Sequence, residues 1–187
     1  MSAPRRRLPG DPDDRQYLER VVRVDHAGEY GAKRIYAGQL AVLGRGPASE
    51  GPVGAAIRHM AEQEERHLAA FERIMVDRRV RPTVLLPLWH VAGFLLGAGT
   101  AILGEKAAMA CTVAVEEVID EHYSGQMATL GEDEAALKAD IARFRDEEIE
   151  HRDTGLAHGA TSAPGYEPLT AVIKAGSRLA IWLSERL

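Results

Sequence analysis

Apolar positions recur along most of the chain with the period of an α-helix, and no stretch alternates with period two for long enough to indicate a sheet strand. The pattern predicts a first helix over about residues 15–43, ending at Gly44, and a second over about residues 53–76. Another long helix is expected from about residue 135 to 158 and a last amphipathic one over about 168–186. The predicted fold class is therefore all-α.

The most hydrophobic segment, about residues 84–104, contains His90 as its one titratable side chain before the glutamate that follows it. Its length would just span a bilayer, but Pro87 and several glycines favour a broken or interfacial segment that lies on one leaflet. A buried core helix and a true membrane span are the alternatives. An amphipathic pattern follows from about residue 98 to 130. The membrane-contacting side chains are predicted to be Leu95, Leu96 and, on the last helix, Trp182.

Several acidic and imidazole side chains fall inside the apolar stripes of the predicted helices. Two Glu-x-x-His pairs place a carboxylate and an imidazole one turn apart on the same helix face, and two further glutamates lie in the stripes of separate helices. A charged carboxylate in such a position costs several kcal/mol, roughly, unless an opposite charge compensates it. These residues are Glu29, Glu64, His67, Glu116, Glu148 and His151.

Four helices that carry Glu, Glu-x-x-His, Glu and Glu-x-x-His have the ligand arrangement of ferritin-like di-iron and di-manganese carboxylate proteins. The sequence therefore predicts a ferritin-like four-helix bundle with an extra hydrophobic segment and a C-terminal amphipathic helix. Four carboxylates would nearly neutralise two divalent ions. Hard oxygen ligands with two imidazoles favour iron or manganese over zinc, and chemistry with O2 favours iron. Two iron ions per chain are the predicted cofactor.

Other polar residues near these positions have weaker claims. Asp25 lies one turn before Glu29 and Asp120 one turn after Glu116, so either could orient a ligand histidine, although helix caps or exposed ion pairs are the alternative. Tyr123 could line the pocket or simply fill the core. The glutamates next to the ligand positions are expected to be solvated; they are Glu62, Glu65, Glu117, Glu147 and Glu150.

With 187 residues and 45% hydrophobic residues, the chain is long enough for one well-filled domain, predicted over residues 15–187 after a mobile N-terminal tail over residues 1–14. The net charge of −5 argues against general nucleic-acid binding. Cys111 is the single cysteine and cannot form an internal disulfide. No secretory signal follows the N-terminal arginines.

Runs of residues around these positions closely resemble the demethoxyubiquinone hydroxylase family of ubiquinone biosynthesis. The resemblance covers about residues 17–187 and is far more specific than the two Glu-x-x-His pairs. The matching runs are RVDHAGEYGA (23–32), IYAGQ (35–39), RVRPT (79–83), GAGTA (97–101), MACTVAVEE (109–117) and LSERL (183–187).

The resemblance implies a membrane-associated di-iron monooxygenase that uses O2 and an unidentified electron donor to hydroxylate the ring of a polyprenyl demethoxyubiquinol. The family's iron ligands fall on the six residues already selected by spacing. It also implies that Glu29 and Glu148 bind different ions, with Glu64 and Glu116 as candidate bridges, and places His122 and Tyr123 near the site.

The hydrophobic segment and last helix would then contact lipid and admit the isoprenoid tail, which makes a peripheral position on the membrane surface the expectation. With no long leader ahead of the match, the cytoplasmic face of a bacterial inner membrane is favoured, and the mitochondrial inner membrane is the alternative for a eukaryotic chain. A lipid-binding partner protein or a second copy of the chain is also compatible with such a surface.

Two other classes of protein use similar features. A ferritin-type iron-storage protein would need the same six ligands but should form a soluble shell, which the hydrophobic segment disfavours. A membrane scaffold would not need all six. A di-iron hydroxylase of another substrate, such as a tRNA base, is the nearest enzymatic alternative and is disfavoured by the acidic net charge.

Overall fold

The computed structural model describes residues 13–44 and 50–187. These residues form six α-helices and two single-turn 3-10 helices, with no strand among them. The 3-10 turns cover Glu132–Glu134 and Ala160–Ser162. The α-helices are α1 (Asp14–Leu43), α2 (Pro52–Arg78), α3 (Leu86–Ile102), α4 (Glu105–Thr129), α5 (Ala135–Ala157) and α6 (Tyr166–Ser184).

The helix ends follow from local chemistry. Asp13 accepts a hydrogen bond of 2.7 Å from the backbone N–H of Gln16, whose side chain reaches back to the Asp13 N–H, so α1 begins with a capping box. Of the predicted tail, residues 1–12 lie outside the described residues, and Asp14 already belongs to α1.

The role expected of Pro87 and the predicted start of the following helix are both wrong. Pro87 does not break a helix, because it occupies the first turn of α3, where a missing N–H removes no helical hydrogen bond. The amphipathic helix expected from about residue 98 begins only at Glu105, because Gly104 has φ +114°, a conformation that ends α3 and redirects the chain.

Helices α1, α2, α4 and α5 form the bundle, in which α1 packs on α2 and α4 packs on α5. Two apolar clusters fill it. One is centred on Tyr36, Met60 and Met109, and the other on Phe71 and Phe144. The all-α prediction is confirmed, and the architecture is consistent with a ferritin-like bundle.

The two remaining helices lie against the outside of this bundle. Helix α3 runs along α1 and α6 runs along α4. The backbones of α1 and α3 approach so closely that a Cβ on Gly97 would overlap the Ile35 carbonyl, and one on Gly38 would overlap the Phe94 carbonyl. Glycine is therefore required where these helices cross.

An apolar cavity of about 440 Å³ lies between α1, α3, α4 and α6. Gly28, Gly31 and Ala32 of α1 line its floor, and Leu96 and Ile173 line its sides. Val172 lines the cavity and is 72% exposed, so the cavity reaches the surface beside α6. We call it the α3–α6 cavity.

The helices that border the cavity expose large apolar side chains to solvent. We call these residues the α3–α6 surface; they are Leu88, Val91 and Leu95 of α3 and Val172, Leu179 and Trp182 of α6. Leu96, predicted to contact lipid, is half-buried and lines the cavity. Among the described residues, no helix combines the length and the hydrophobicity needed to cross a membrane.

Candidate metal centre

The six residues selected from the sequence converge inside the bundle, where all six are buried. They form two overlapping groups in which the candidate ligand atoms lie within 4.8 Å of one another. The His67 group consists of Glu29, Glu64, His67 and Glu148; the His151 group consists of Glu64, Glu116, Glu148 and His151. Each of the four bundle helices therefore contributes to one buried polar centre between the two apolar clusters.

Glu64 and Glu148 belong to both groups, and the position of Glu148 shows why. Its Oε1 lies 3.1 Å from Nδ1 of His67 and its Oε2 lies 2.9 Å from Nδ1 of His151. One carboxylate thus sits between the two imidazoles. Of the two candidate bridges, Glu64 belongs to both groups and Glu116 to the His151 group alone.

Many polar atoms of this centre have no hydrogen-bond partner. They include five carboxylate oxygens and the Nδ1 atom of His151, all shielded from solvent. An unpaired buried polar group costs about 1–3 kcal/mol, and more when it is charged. Such a set of lone pairs aimed at a common space fits metal ions of the hard, oxygen-preferring type. The oxygen atoms are those of Glu29, Glu64, Glu116 and Glu148.

The protonation equilibria of the centre are strongly perturbed. Burial, with the nearby charge of Glu148, raises the pKa of Glu64 and of Glu116 well above the usual range. Burial opposes the charged form of His67, but hydrogen bonds with Glu148 and Glu29 outweigh it and raise its pKa to about 11. The reverse balance lowers the pKa of Glu148 to about 2, because the adjacent imidazoles of His151 and His67 favour its charged form and outweigh the effect of burial. Without metal, the centre therefore holds protons in place of cations.

Two buried tyrosines bond Glu29 and Glu116, the two carboxylates that each belong to only one of the groups. The Tyr36 hydroxyl on α1 donates a 2.8 Å hydrogen bond to Glu116 on α4, and the Tyr123 hydroxyl on α4 donates one to Glu29 on α1. Burial, with the neighbouring carboxylates, raises the pKa of both phenols, so each remains a donor. Tyr36 was not predicted as a site residue. The signal for it is a repeated spacing, since each tyrosine follows the glutamate of its own helix by two turns.

The outer nitrogens of the two histidines also have partners. Nε2 of His67 lies 3.1 Å from Glu147, and Nε2 of His151 lies 3.0 Å from the side-chain oxygen of Gln63. The prediction that Glu147 is merely a solvated neighbour is wrong, because its carboxylate turns toward α2 and is only 25% exposed.

The predicted orienting aspartates contact other residues. Asp25 is buried and bonds His122 at 3.1 Å and Gln126 at 2.7 Å, while burial raises its pKa against the effect of His122. Asp120 pairs with Arg145 at 2.6 Å. Asp25 and His122 therefore form a polar network beside Tyr123, and the predicted bond from Asp25 or Asp120 to a ligand histidine is replaced by these contacts.

The α3–α6 cavity adjoins the same turns of α1 and α4. Ala32, in its wall, lies one turn after Glu29, and Ile119 lies one turn after Glu116. The cavity therefore lies beside the turns of α1 and α4 that carry Glu29 and Glu116.

The chain matches the family model described as ubiquinone biosynthesis protein COQ7 over residues 16–184. It is 61% identical to a 3-demethoxyubiquinol 3-hydroxylase of Rhodospirillum rubrum over 97% of this chain and 84% of that protein. It is 57% identical to the human mitochondrial NADPH-dependent 3-demethoxyubiquinone 3-hydroxylase, over 95% of this chain and 81% of the human protein. The mitochondrial 5-demethoxyubiquinone hydroxylase of Saccharomyces cerevisiae is 42% identical, over 91% of this chain and 78% of the yeast protein.

Proposed function

Because the chain belongs to the COQ7 family of ubiquinone biosynthesis proteins, in which it is a hydroxylase of the demethoxyubiquinol ring, we propose that it performs this reaction at two iron ions held by the six buried side chains of the bundle. The observation that carries the proposal is the set of unpartnered, buried carboxylate oxygens that faces the two imidazoles. Iron bound there would supply the redox chemistry that activates O2 and delivers one oxygen atom to the ring.

The residues divide into ligands shared by both ions and ligands of one ion. Glu64 and Glu148, which belong to both groups, would bridge, while Glu29 and Glu116 would each bind one ion. Their hydrogen bonds from Tyr123 and Tyr36 fix one oxygen of each carboxylate and leave the other free toward the centre. The protein thereby holds the ligands in place before the ions bind.

The α3–α6 cavity would bind the quinol. Its volume of about 440 Å³ suits the ring with the first part of the isoprenoid tail, since ligand pockets commonly measure roughly 300–1,000 Å³. The remaining tail would leave at the surface beside Val172. The apolar lining would exclude water from the ring, and a ring held against Ala32 and Ile119 would lie beside the turns that carry Glu29 and Glu116.

The α3–α6 surface would rest on a membrane, which holds a substrate too apolar to dissolve in water. Its six exposed apolar side chains lie on the two helices that border the cavity, and Val172 also lines it, so the tail could pass from lipid into the cavity. This supports a peripheral position on the membrane, which we propose to be the inner membrane of a bacterium, on its cytoplasmic face, or that of a mitochondrion for a eukaryotic chain. The names of the mammalian relatives support NADPH as the source of electrons.

The test is a single-turnover and steady-state assay of iron-loaded full-length chain in detergent or vesicles, with a short-tailed demethoxyubiquinol, O2 and a reductant. The hydroxylated quinol is measured by mass spectrometry, with ¹⁸O2 to identify the source of the oxygen. Glu148→Gln removes a bridging charge and should lower the rate by about 100-fold or more, since loss of an outer partner of a ligand already costs about 10–100-fold.

The matched control is Glu150→Gln, which makes the same change on the exposed face of the same helix. It should keep both iron content and rate. Oxygen derived from water, or a Glu148→Gln protein as active as the Glu150→Gln protein, would show that this centre does not carry the hydroxylation.

A further inference from the structure

One carboxylate on the bundle, Glu147, is connected to both histidines of the proposed metal centre. Its Oε2 atom lies 3.1 Å from Nε2 of His67 and 3.0 Å from Nε2 of Gln63. The other side-chain atom of that amide, Oε1 of Gln63, lies 3.0 Å from Nε2 of His151. The hydrogen bonds therefore run from His67 to Glu147, from Gln63 to Glu147, and from His151 to Gln63.

The chemistry of these groups fixes the direction of every bond. A carboxylate only accepts, so His67 and Gln63 must both donate to Glu147. The amide nitrogen of Gln63 is then directed at Glu147, and its oxygen faces His151 and must accept. Both imidazoles consequently carry a proton on Nε2, so Nδ1, which faces the carboxylates at the centre, is the nitrogen that each histidine can offer to a metal ion.

The positions involved are related by the internal repeat of the bundle, but their chemistry differs. Gln63 and Glu147 each precede the glutamate of a Glu-x-x-His pair, and each bonds the histidine of the opposite pair. Gln63 is buried, whereas Glu147 is partly exposed and has Arg66 at 3.6 Å. Of these two equivalent positions, one therefore carries the charged carboxylate of Glu147 and the other the neutral amide of Gln63.

We propose that Glu147 is the positioning residue of both metal-ligand histidines, orienting His67 directly and His151 through the side-chain amide of Gln63. The inference rests on the proposed metal centre and deepens it. Because one carboxylate holds two ligands, its loss should weaken both ion sites. Loss of Gln63 should weaken the His151 site and leave the Glu147–His67 bond in place.

Metal binding by the full chain, stripped of metal and titrated with Co²⁺ without oxygen, tests this. Visible absorption reports Co²⁺ coordination, and circular dichroism with thermal unfolding reports folding. Wild type and Glu150→Ala, the exposed control, should bind two ions per chain. Glu147→Ala should weaken both sites by about 10–100-fold, and Gln63→Ala should do so at one site only. Glu147→Gln should recover most of the affinity, because its amide oxygen can still accept from His67.

A Glu147→Ala chain that binds both ions as tightly as wild type would overturn the inference and leave the metal centre standing. A folded wild-type chain that binds no Co²⁺ would overturn the metal centre, and the inference with it. The nitrogen NMR spectrum of Zn²⁺-loaded wild type tests the proposal without any substitution. Both histidines should have Nε2 protonated and Nδ1 bound to metal, and the opposite tautomer at either histidine would refute the arrangement.

Discussion

Single side chains decide how this bundle tolerates the four buried carboxylates of the proposed metal centre. Glu29 and Glu116 each accept a hydrogen bond from a tyrosine on the other's helix, so two phenols stabilise two charges without adding a positive charge that would compete with metal. Among the described residues, the imidazoles of His67 and His151 are the ion-pair partners of all four carboxylates of the centre. The centre is thus arranged to receive cations.

The tyrosines give a paired prediction. Tyr36→Phe should weaken metal binding in the His151 group by about 10-fold, because Glu116 loses the donor that orients it, and Tyr123→Phe should act in the same way on the His67 group. Titration of each variant with Mn²⁺, followed by electron paramagnetic resonance, measures the two sites. Tyr166→Phe, outside the centre, is the control; equal loss in all three variants would contradict the assignment.

The perturbed pKa values predict how metal stabilisation depends on pH. The pKa values of Glu64 and Glu116, and that of His67 at about 11, are higher in the folded chain than in the unfolded chain. Their contribution to the free energy of unfolding is therefore present at low pH and is lost as pH rises through the folded values. Metal must displace these protons, so its affinity should rise with pH.

The measurement is the melting temperature with and without Mn²⁺ over a series of pH values. The difference should grow as pH rises across the neutral range. Glu148 acts in the opposite sense, because its pKa of about 2 lies below the unfolded value and its contribution is lost only in strong acid. A metal-induced shift that stays constant with pH would contradict the proton-for-metal exchange.

At the scale of helices, function depends on the space between elements as well as on their packing. The glycines at the crossing of α1 and α3 let those helices meet closely, whereas Gly28 and Gly31 have open space where a Cβ would be and line the α3–α6 cavity. Glycine thus allows α1 and α3 to pack closely where they cross and leaves space for a ligand where α1 lines the cavity.

Gly31→Leu should place a side chain in the cavity and lower kcat/KM for demethoxyubiquinol by about 10–200-fold through KM. Metal content should not change. Stability should not fall, because leucine has the higher helix propensity by roughly 0.8 kcal/mol. Gly125→Leu, on the exposed face of α4 and also with open space at Cβ, is the control. Unaltered kinetics in Gly31→Leu would exclude the cavity as the substrate site.

The sequence predicted most boundaries of the bundle helices closely but missed the start of α4, for physical reasons. Helices α1 and α5 have polar boundaries that mark their ends, and both lie within a residue or two of the prediction. The start of α4 was missed because the apolar pattern continues across Gly104. The pattern of hydropathy does not predict the backbone conformation of Gly104, which ends α3 there.

The six metal-ligand candidates could be found from spacing, because helical periodicity fixes which face each residue occupies. The residues that bond the outer nitrogens of the two histidines could not be found in this way. Whether Glu147 reaches His67, or Asp25 reaches a ligand histidine, depends on the axial register of neighbouring helices, which periodicity within one helix does not determine.

At the scale of the whole molecule, a buried polar centre, an apolar cavity and an exposed apolar surface follow one another from the inside of the bundle outward. This order suits a substrate that has a reactive ring and a lipid-like tail. The surface should bind vesicles independently of the metal centre, because its residues do not belong to either ligand group.

The double substitution Leu95→Glu with Trp182→Glu should therefore reduce binding to phospholipid vesicles by about 10-fold or more for each side chain, because each loses its transfer free energy into lipid. Metal content and fold should be retained. Val76→Glu with Leu156→Glu adds the same charge at exposed apolar positions on other helices and is the control. Vesicle sedimentation measures both, and equal release of the two proteins would contradict the assignment of the surface.

The most direct measurement of the central claim is diffraction at the iron absorption edge from crystals of the iron-loaded, full-length chain. The account predicts two anomalous peaks, one in the His67 group and one in the His151 group, with Glu64 and Glu148 contacting both. A folded chain with one peak, or with iron bound anywhere other than among these six side chains, would contradict it.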